Sequence, residues 1–169
     1  MTRNAAIGGT VIFFFVAPGL VEGLLPWLLS GGWQFRTPFP GYGIVRVVGA
    51  IIIVGGFAAL LASFARFALV GRGTPAPVAP TERLIVGGFY RYVRNPMYIA
   101  ALSTILGQAL FFGSLEVFLY FVVLFLLVHL FVLLYEEPTM RRTYGAEYDA
   151  FAAAVPSWLP RTTPWEAHP

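Results

Sequence analysis

The chain has 169 residues, of which 58% are hydrophobic and 11% charged, and its formal net charge is +3. A length of this order predicts a single domain, 1–169. The apolar share lies above the roughly one half typical of soluble domains, and the mean hydropathy of +0.75 excludes an ordinary soluble fold. The absence of cysteine excludes disulfides and cysteine-ligated metals. We therefore expect an integral membrane protein that interacts with the bilayer and binds neither a metal nor nucleic acid, since its arginines lie at the edges of apolar runs.

Four apolar runs approach or exceed the roughly 20 helical residues that cross a hydrocarbon core. They predict an all-α fold of about four transmembrane helices, at 7–29, 44–70, 97–112 and 115–135. Only Gly113-Ser114 separates the last two runs, which must therefore form a tight antiparallel hairpin near the C-terminus. A signal-peptide interpretation of the first run fails because its apolar residues continue past Pro18.

The distribution of arginine predicts the orientation in the membrane. The second loop carries four arginines and the tail three, whereas the first loop carries only Arg36 and the hairpin turn none. Loops rich in arginine stay on the cytoplasmic side of a membrane. Both termini and the polar segments 71–96 and 136–169 are therefore expected on the cytoplasmic side of a bacterial-type inner membrane.

The segment that precedes the third apolar run is basic and aromatic. Asn is a favoured N-cap and Pro a favoured first helical residue, so Arg94-Asn95-Pro96 predicts the start of a helix. A helix N-terminus gathers unpaired N–H groups and a partial positive charge. With Arg91 and Arg94 beside it, this site would suit a carboxylate or a phosphate.

Glu136-Glu137 lies at the end of the fourth run, where two acids oppose the helix dipole. Adjacent helical residues point about 100° apart, so at most one of the pair faces any given site. The alternative is a plain solvated acid pair. Two acids at a helix C-terminus are energetically unfavourable unless a cation lies nearby, so a cationic partner is favoured. This partner could be Arg141, Arg142 or a cationic ligand. An anion site opposite a carboxylate suits S-adenosylmethionine, which carries a carboxylate, an ammonium and a sulfonium.

The tail contains an amphipathic helical stripe. Tyr144, Tyr148, Phe151 and Val155 follow a spacing of four, three and four residues, which places them on one helix face. The stripe is suited to lie either on the membrane surface or on the preceding loop.

These motifs together resemble a known group of membrane enzymes. The pattern Gly88-x-Tyr90-x-x-x-Arg94-Asn95-Pro96-x-Tyr98, a helical hairpin and Glu136-Glu137 closely resemble the isoprenylcysteine carboxyl methyltransferase group. The tail resembles the C-terminal signature of that group: Tyr144-Gly145-x-Glu147-Tyr148-x-x-Phe151-x-x-x-Val155-Pro156-x-x-Leu159-Pro160. Asn95-Pro96-Met97-Tyr98 and Tyr135-Glu136-Glu137-Pro138 are also similar to phospholipid N-methyltransferases. The resemblance covers about residues 80–161 and departs at Asn95, where the isoprenylcysteine enzymes usually carry His.

The resemblance implies an S-adenosylmethionine-dependent methyltransferase that acts on a lipid or another hydrophobic acceptor, with phospholipid N-methyl transfer as the alternative. The implied cofactor contacts are Gly88, Tyr90, Arg94, Asn95, Pro96, Tyr98, Glu136 and Glu137. Three of them are the candidate catalytic residues: Glu136, Arg94 and Tyr98. The candidate substrate-binding residues are Glu22, His129, Arg141 and Tyr148.

Glu22 is an acid within the first apolar run. A charge at this depth is costly, so Glu22 either has a function or snorkels toward the interface near Pro26 and Trp27. An acceptor amine would need a base to remove its proton, and Glu22, Glu136 or a tyrosine could serve. A carboxylate acceptor would need only alignment and removal of water.

His129 lies seven residues before Glu136, on nearly the same helix face and about 10 Å deeper. It either lines the acceptor pocket or forms a helix–helix hydrogen bond, for which Gln108 and Ser103 are the expected partners.

Two other functions fit parts of the pattern. Membrane sterol reductases that use NADPH resemble this C-terminal layout, although the acidic pair fits a cationic cofactor better. The other possibility is a non-enzymatic membrane protein whose motifs serve packing and topology.

Overall fold

The structure, a computed structural model, describes residues 15–66, 84 and 86–166. All regular structure in these ranges is helical, without a strand, which confirms the all-α prediction for this part of the chain. The remaining residues lie outside the described part, and with them the first residues of the predicted span 7–29, the last of 44–70 and most of the predicted polar segment before Gly87.

The helices within the described ranges are α1 (Phe15–Leu29), α2 (Gly43–Arg66), α3 (Pro96–Phe112), α4 (Leu115–Phe131), α5 (Glu137–Tyr144) and α6 (Ala146–Ala154). A π-helical stretch, Gly19–Leu24, lies within α1, and a second, Val132–Glu136, joins α4 to α5. A short 3₁₀ turn, Gly88–Arg91, precedes α3.

Two stretches, Gly43–Ala65 and Leu115–Tyr144, are long and apolar enough to cross a membrane. Two further apolar helices, Phe15–Leu29 and Pro96–Phe112, are shorter. Length and composition thus support two of the predicted spans, and the four-span arrangement remains a prediction.

The hairpin between α3 and α4 is built by its two turn residues. Gly113 ends α3 in the left-handed region, with a φ of 69°, and its N–H bonds the Ala109 carbonyl. A Cβ on Gly113 would lie 2.5 Å from the Arg36 carbonyl oxygen, so this turn requires glycine. The Ser114 hydroxyl then caps α4 by accepting a hydrogen bond from the Val117 N–H at 3.3 Å.

Glycines allow α2 and α3 to pack backbone against backbone. A Cβ on Gly49 would lie 2.7 Å from the Phe111 nitrogen, and one on Gly56 would lie 2.8 Å from the Thr104 hydroxyl. A Cβ on Gly107 would meet Ile53 at 2.8 Å. Close approach of this kind is how small residues hold helices together in lipid, where the hydrophobic effect between helices is weak.

The described part of α1 packs against the hairpin through polar contacts. Gln108 on α3 donates to the Glu22 carbonyl at 2.7 Å, and the Tyr120 hydroxyl on α4 donates to the Val21 carbonyl at 3.0 Å. At the hairpin-turn end of the bundle, Arg36 pairs with Glu116 at 2.6 Å. The turn end of the hairpin is therefore tied to elements that are distant in sequence.

The amphipathic stripe of the tail packs on the loop before α3. Tyr148, Phe151 and Val155 are buried together with Leu84, and Tyr144 packs against this cluster. Of the two predicted positions for the stripe, the loop is the one observed.

Candidate functional site

Residues 155–166, here called the tail strap, run along the loop before α3. The Arg94 N–H donates to the Pro156 carbonyl at 2.9 Å and the Arg161 N–H to the Tyr92 carbonyl at 2.9 Å. The Trp165 N–H donates to the Arg91 carbonyl at 2.8 Å. Because these are backbone bonds distributed along both segments, the strap and the loop form one folded unit.

A buried ion pair lies beneath the strap. Arg94 Nη2 lies 3.0 Å from Glu137 Oε1, and each side chain is only 14% exposed. The Ser157 hydroxyl accepts from Arg94 Nη2 and donates to Glu137 Oε1 at 3.2 Å. Asn95 Nδ2 donates to the Ser157 carbonyl at 3.2 Å. The loop, the end of the long helix and the strap thus meet at Ser157.

A second polar contact joins the start of α3 to the end of the π-helical stretch. The Tyr98 hydroxyl donates to Glu136 Oε2 at 2.8 Å. Tyr90, on the 3₁₀ turn, is buried, and this burial together with the nearby charge of Glu136 raises its pKa well above the ordinary value. Burial therefore favours the protonated form of the Tyr90 hydroxyl.

One donor in this cluster has no protein partner. Arg94 Nε is buried and makes no hydrogen bond within the described part of the chain. An unpaired buried N–H of a guanidinium is costly, and a bound carboxylate would satisfy it. With Glu136 and Glu137 close by, the donors and acceptors present match a zwitterion that carries extra positive charge, so the residues fit S-adenosylmethionine.

The implied cofactor residues meet at one end of the bundle. Arg94 contacts Glu137, and Tyr98 contacts Glu136, across separations of 43 and 38 residues in sequence. Gly88 has a φ of 64°, in the region that favours glycine, and so allows the turn that places Tyr90. Pro96 is the first residue of α3, as predicted.

Two of these residues have partners that the sequence did not identify. Asn95 stands at the N-cap position, but its side chain does not cap α3, because it bonds the strap instead. The protein partner of Glu137 is Arg94 rather than Arg141 or Arg142. Arg141 pairs with Asp149 at 3.4 Å on the exposed face of the tail, although its position four residues after Glu137 on the same helix would also allow contact with Glu137.

The candidate substrate-binding residues differ in their relation to the ion pair. Tyr148 packs in the hydrophobic cluster of the tail, where burial raises its pKa and the charges of Arg94 and Glu137 also act on it. Arg141 is 56% exposed. Glu22 is 8% exposed within the bundle, so the snorkelling alternative is wrong.

His129 forms a hydrogen bond that differs from the two expected. Trp158 Nε1 donates to His129 Nδ1 at 3.0 Å, and both rings pack against Phe125. Gln108 instead accepts from Trp33 and donates to the Glu22 carbonyl. The residue that reaches His129 therefore comes from the strap and not from α3.

Sequence reasoning missed Ser157 and Trp158. They occupy the two variable positions of the tail signature, between Val155-Pro156 and Leu159-Pro160. The flanking prolines were the available signal, because they make the segment extended and hold it away from a helix. The prolines do not indicate which side chains of the segment face the site.

Comparison with known proteins identifies the family. Residues 44–147 match the family model described as phospholipid methyltransferase, a range that covers more than half of the chain. No curated protein and no solved structure matches the chain. The matched range includes α2, the loop before α3, the hairpin and the acidic pair. With two helices apolar enough to cross a membrane, the chain is a membrane protein that belongs to the phospholipid methyltransferase family.

Proposed function

We propose that the chain transfers a methyl group from S-adenosylmethionine to a hydrophobic acceptor in the membrane. The family is one of methyltransferases, which supports the reaction class. The observation that carries the proposal is the cluster in which Arg94, Glu137 and Ser157 meet beside the Tyr98–Glu136 contact. This cluster joins the two halves that the sequence predicts for one cofactor site.

In this proposal each charged group of the cofactor has a partner. Arg94 and the start of α3 would hold the carboxylate, and the unpaired Arg94 Nε is the donor that supports this assignment. Glu136 and Glu137 would face the positive charges. When bound, the cofactor supplies an electrophilic methyl group on its sulfonium. Binding must loosen the contacts from Ser157 to Arg94 and Glu137, since these contacts occupy the same groups.

The side chains of the site would then align the acceptor and exclude water. The strap covers the ion pair, so attack takes place in a site of low polarity, where an acceptor oxygen or nitrogen is poorly solvated and more nucleophilic. Tyr98 fixes the orientation of the Glu136 carboxylate through its hydrogen bond. For an amine acceptor, Glu136 is the group placed to take the proton. A carboxylate acceptor would need no base.

We further propose four membrane spans, with the site and both termini in the cytoplasm. The cluster lies at the end of the bundle that carries Arg91, Arg94 and Arg161, whereas Arg36 and the hairpin turn lie at the other end. The positive-inside rule assigns the arginine-rich end to the cytoplasm, where the cofactor is available.

Titration of the purified full-length protein with S-adenosylhomocysteine and with NADPH tests the function. We expect binding of the former, and a loss of roughly ten-fold or more in affinity in Arg94→Ala and in Glu137→Gln, since each removes a charge-assisted contact. Glu116→Gln, at the opposite end of the bundle, is the matched control and should bind normally. Binding of NADPH alone would refute the proposal. Unchanged affinity for S-adenosylhomocysteine in both variants would favour a purely structural role for Arg94 and Glu137.

The acceptor can be identified by following labelled methyl groups. Reconstituted protein would receive S-adenosylmethionine with a phospholipid amine, a prenylcysteine carboxylate or a hydrophobic thiol. Transfer to one of these acceptors assigns the chemistry, and loss of the transfer in Glu136→Gln for the amine alone would identify Glu136 as the base. No transfer to any lipid-soluble acceptor, despite cofactor binding, would contradict a membrane acceptor.

A further inference from the structure

A cavity of about 660 Å³ lies in the groove beside the contact of α2 with α3. Its walls come from residues 52–59 of α2 and 96–103 of α3. Phe89, Tyr92 and Pro160 close it at the cytoplasmic end proposed above. The volume is that of a small-molecule site, for which about 300–1,000 Å³ is typical.

The lining of this cavity is suited to hydrocarbon. Among its described lining residues, Tyr92 and Ser103 alone carry a polar side-chain group, and no charged residue contributes. A zwitterionic cofactor would lose its hydration there without gaining partners, so it is a poor occupant. Each wall extends over eight residues, which corresponds to about 10 Å along a helix axis. The cavity therefore accepts part of an extended chain.

The cavity opens on the surface of the bundle, where Gly55 is exposed. Ile51 and Val54, on the same stretch of α2, are 66% and 70% exposed, as expected for side chains in contact with lipid tails. Gly55 lines the opening, and a Cβ placed on it would meet no atom within 4 Å. The neighbouring Gly56, by contrast, is packed against Thr104. A chain can thus enter sideways from the bilayer through the gap left at Gly55.

A second cavity, of about 450 Å³, continues from the first toward the end of α2. The two share Phe89 and Tyr92, but the second also includes Ser63, Tyr90 and Arg91. The loop and the strap, which line the cavities at Tyr92 and Pro160, are the segments that carry Arg94 and Ser157 of the site. Polarity therefore rises from the first cavity to the second, as it does along a lipid from its chain to its headgroup.

We propose that the apolar cavity holds a hydrocarbon chain of a membrane lipid acceptor and that the polar cavity receives its headgroup. This inference rests on the proposed methyl transfer and adds the route of entry, along the groove beside the α2–α3 contact. It also names Gly55 as the residue that keeps the route open.

A photoactivatable lipid provides the test. The full-length protein would be reconstituted in phosphatidylcholine vesicles with increasing amounts of phosphatidylethanolamine that carries a diazirine on one chain. We expect labelling of Ile52, Ile99 and Ser103 to saturate as the probe is increased, as it does for a defined site. Labelling that rises linearly would show annular lipid only and would overturn the proposal.

Substitutions on α2 provide the matched comparison. Gly55→Phe fills the cavity and should lower the saturable labelling by roughly ten-fold or more, whereas Val54→Phe adds the same bulk outside it and should not. Gly55→Leu, a smaller change, should give an intermediate loss. Undiminished labelling in both Gly55 variants would contradict the assignment.

Binding of S-adenosylhomocysteine by each variant separates the two proposals. Its retention in Gly55→Phe shows that the fold and the cofactor site are intact. If the unsubstituted protein does not bind S-adenosylhomocysteine, the proposed function is refuted, whichever residues the lipid probe labels. Normal binding together with labelling outside the cavity would refute only the route of entry.

Discussion

Two ion pairs of similar length illustrate how burial decides what a residue contributes. The Arg94–Glu137 pair is 3.0 Å long with both side chains 14% exposed, whereas the Arg36–Glu116 pair is 2.6 Å long with side chains 40% and 47% exposed. Water screens the exposed pair, and removing one partner from the buried pair leaves a charge without compensation.

The two acids should therefore differ in their effect on stability. We expect Glu137→Gln to lower the free energy of unfolding by about 2–3 kcal/mol, slightly less than for fully buried pairs. Glu116→Gln should leave it within experimental error. Denaturant unfolding in mixed micelles measures both, and an equal loss in the two variants would show that burial is not the deciding factor.

Trp158 ties the strap to the hairpin through a single side chain. Trp158→Phe keeps a ring against Phe125 but removes the hydrogen bond to His129, which should cost about 1 kcal/mol. Because this bond holds the strap, we expect faster tryptic cleavage after Arg161. Trp27→Phe, in which a lipid-exposed ring is changed, serves as the control. An unchanged cleavage rate would mean that the backbone bonds alone hold the strap.

At the scale of helices, α2 and α3 depend on the positions of adjacent glycines. Gly55→Ala places a methyl group in open space and should raise the free energy of unfolding by up to about 1 kcal/mol through helix propensity. Gly56→Ala drives a methyl group against Thr104 and Ala100 and should lower it by about 1–2 kcal/mol. The same unfolding measurement applies, and equal effects would argue against backbone contact at Gly56.

The starts and ends of these helices could be predicted from the sequence, but the side chains that pair across the site could not. Asn95-Pro96 and Gly113-Ser114 act through local rules, and they mark the observed ends of α3 and the start of α4. The pairing of Glu137 with Arg94 depends on how the tail returns, which no local pattern encodes. The strap is extended, so it has no periodicity to show which side chains face inward.

For the molecule as a whole, the distribution of charge separates the two ends of the bundle. Among the described residues, the end with the strap gathers five arginines, Arg91, Arg94, Arg141, Arg142 and Arg161. The opposite end has two: Arg36, which pairs with Glu116, and Arg46, which donates to the Phe111 and Arg36 carbonyls. This asymmetry follows from sequence alone. That the loop and the tail share one end is observed directly, through their hydrogen bonds.

The absence of cysteine makes the proposed orientation easy to test. Thr37 lies in the first loop and Thr162 on the strap, and both are exposed, so each can be replaced by a single cysteine with little effect on packing. In intact cells a membrane-impermeant maleimide should label Thr37→Cys but not Thr162→Cys, because the latter faces the cytoplasm. Both should react once the membrane is opened, which controls for accessibility. The reverse pattern would place the arginine-rich end outside, away from the cytoplasmic supply of cofactor, and labelling of both variants in intact cells would mean that the loop and the strap do not lie on opposite sides of the bilayer.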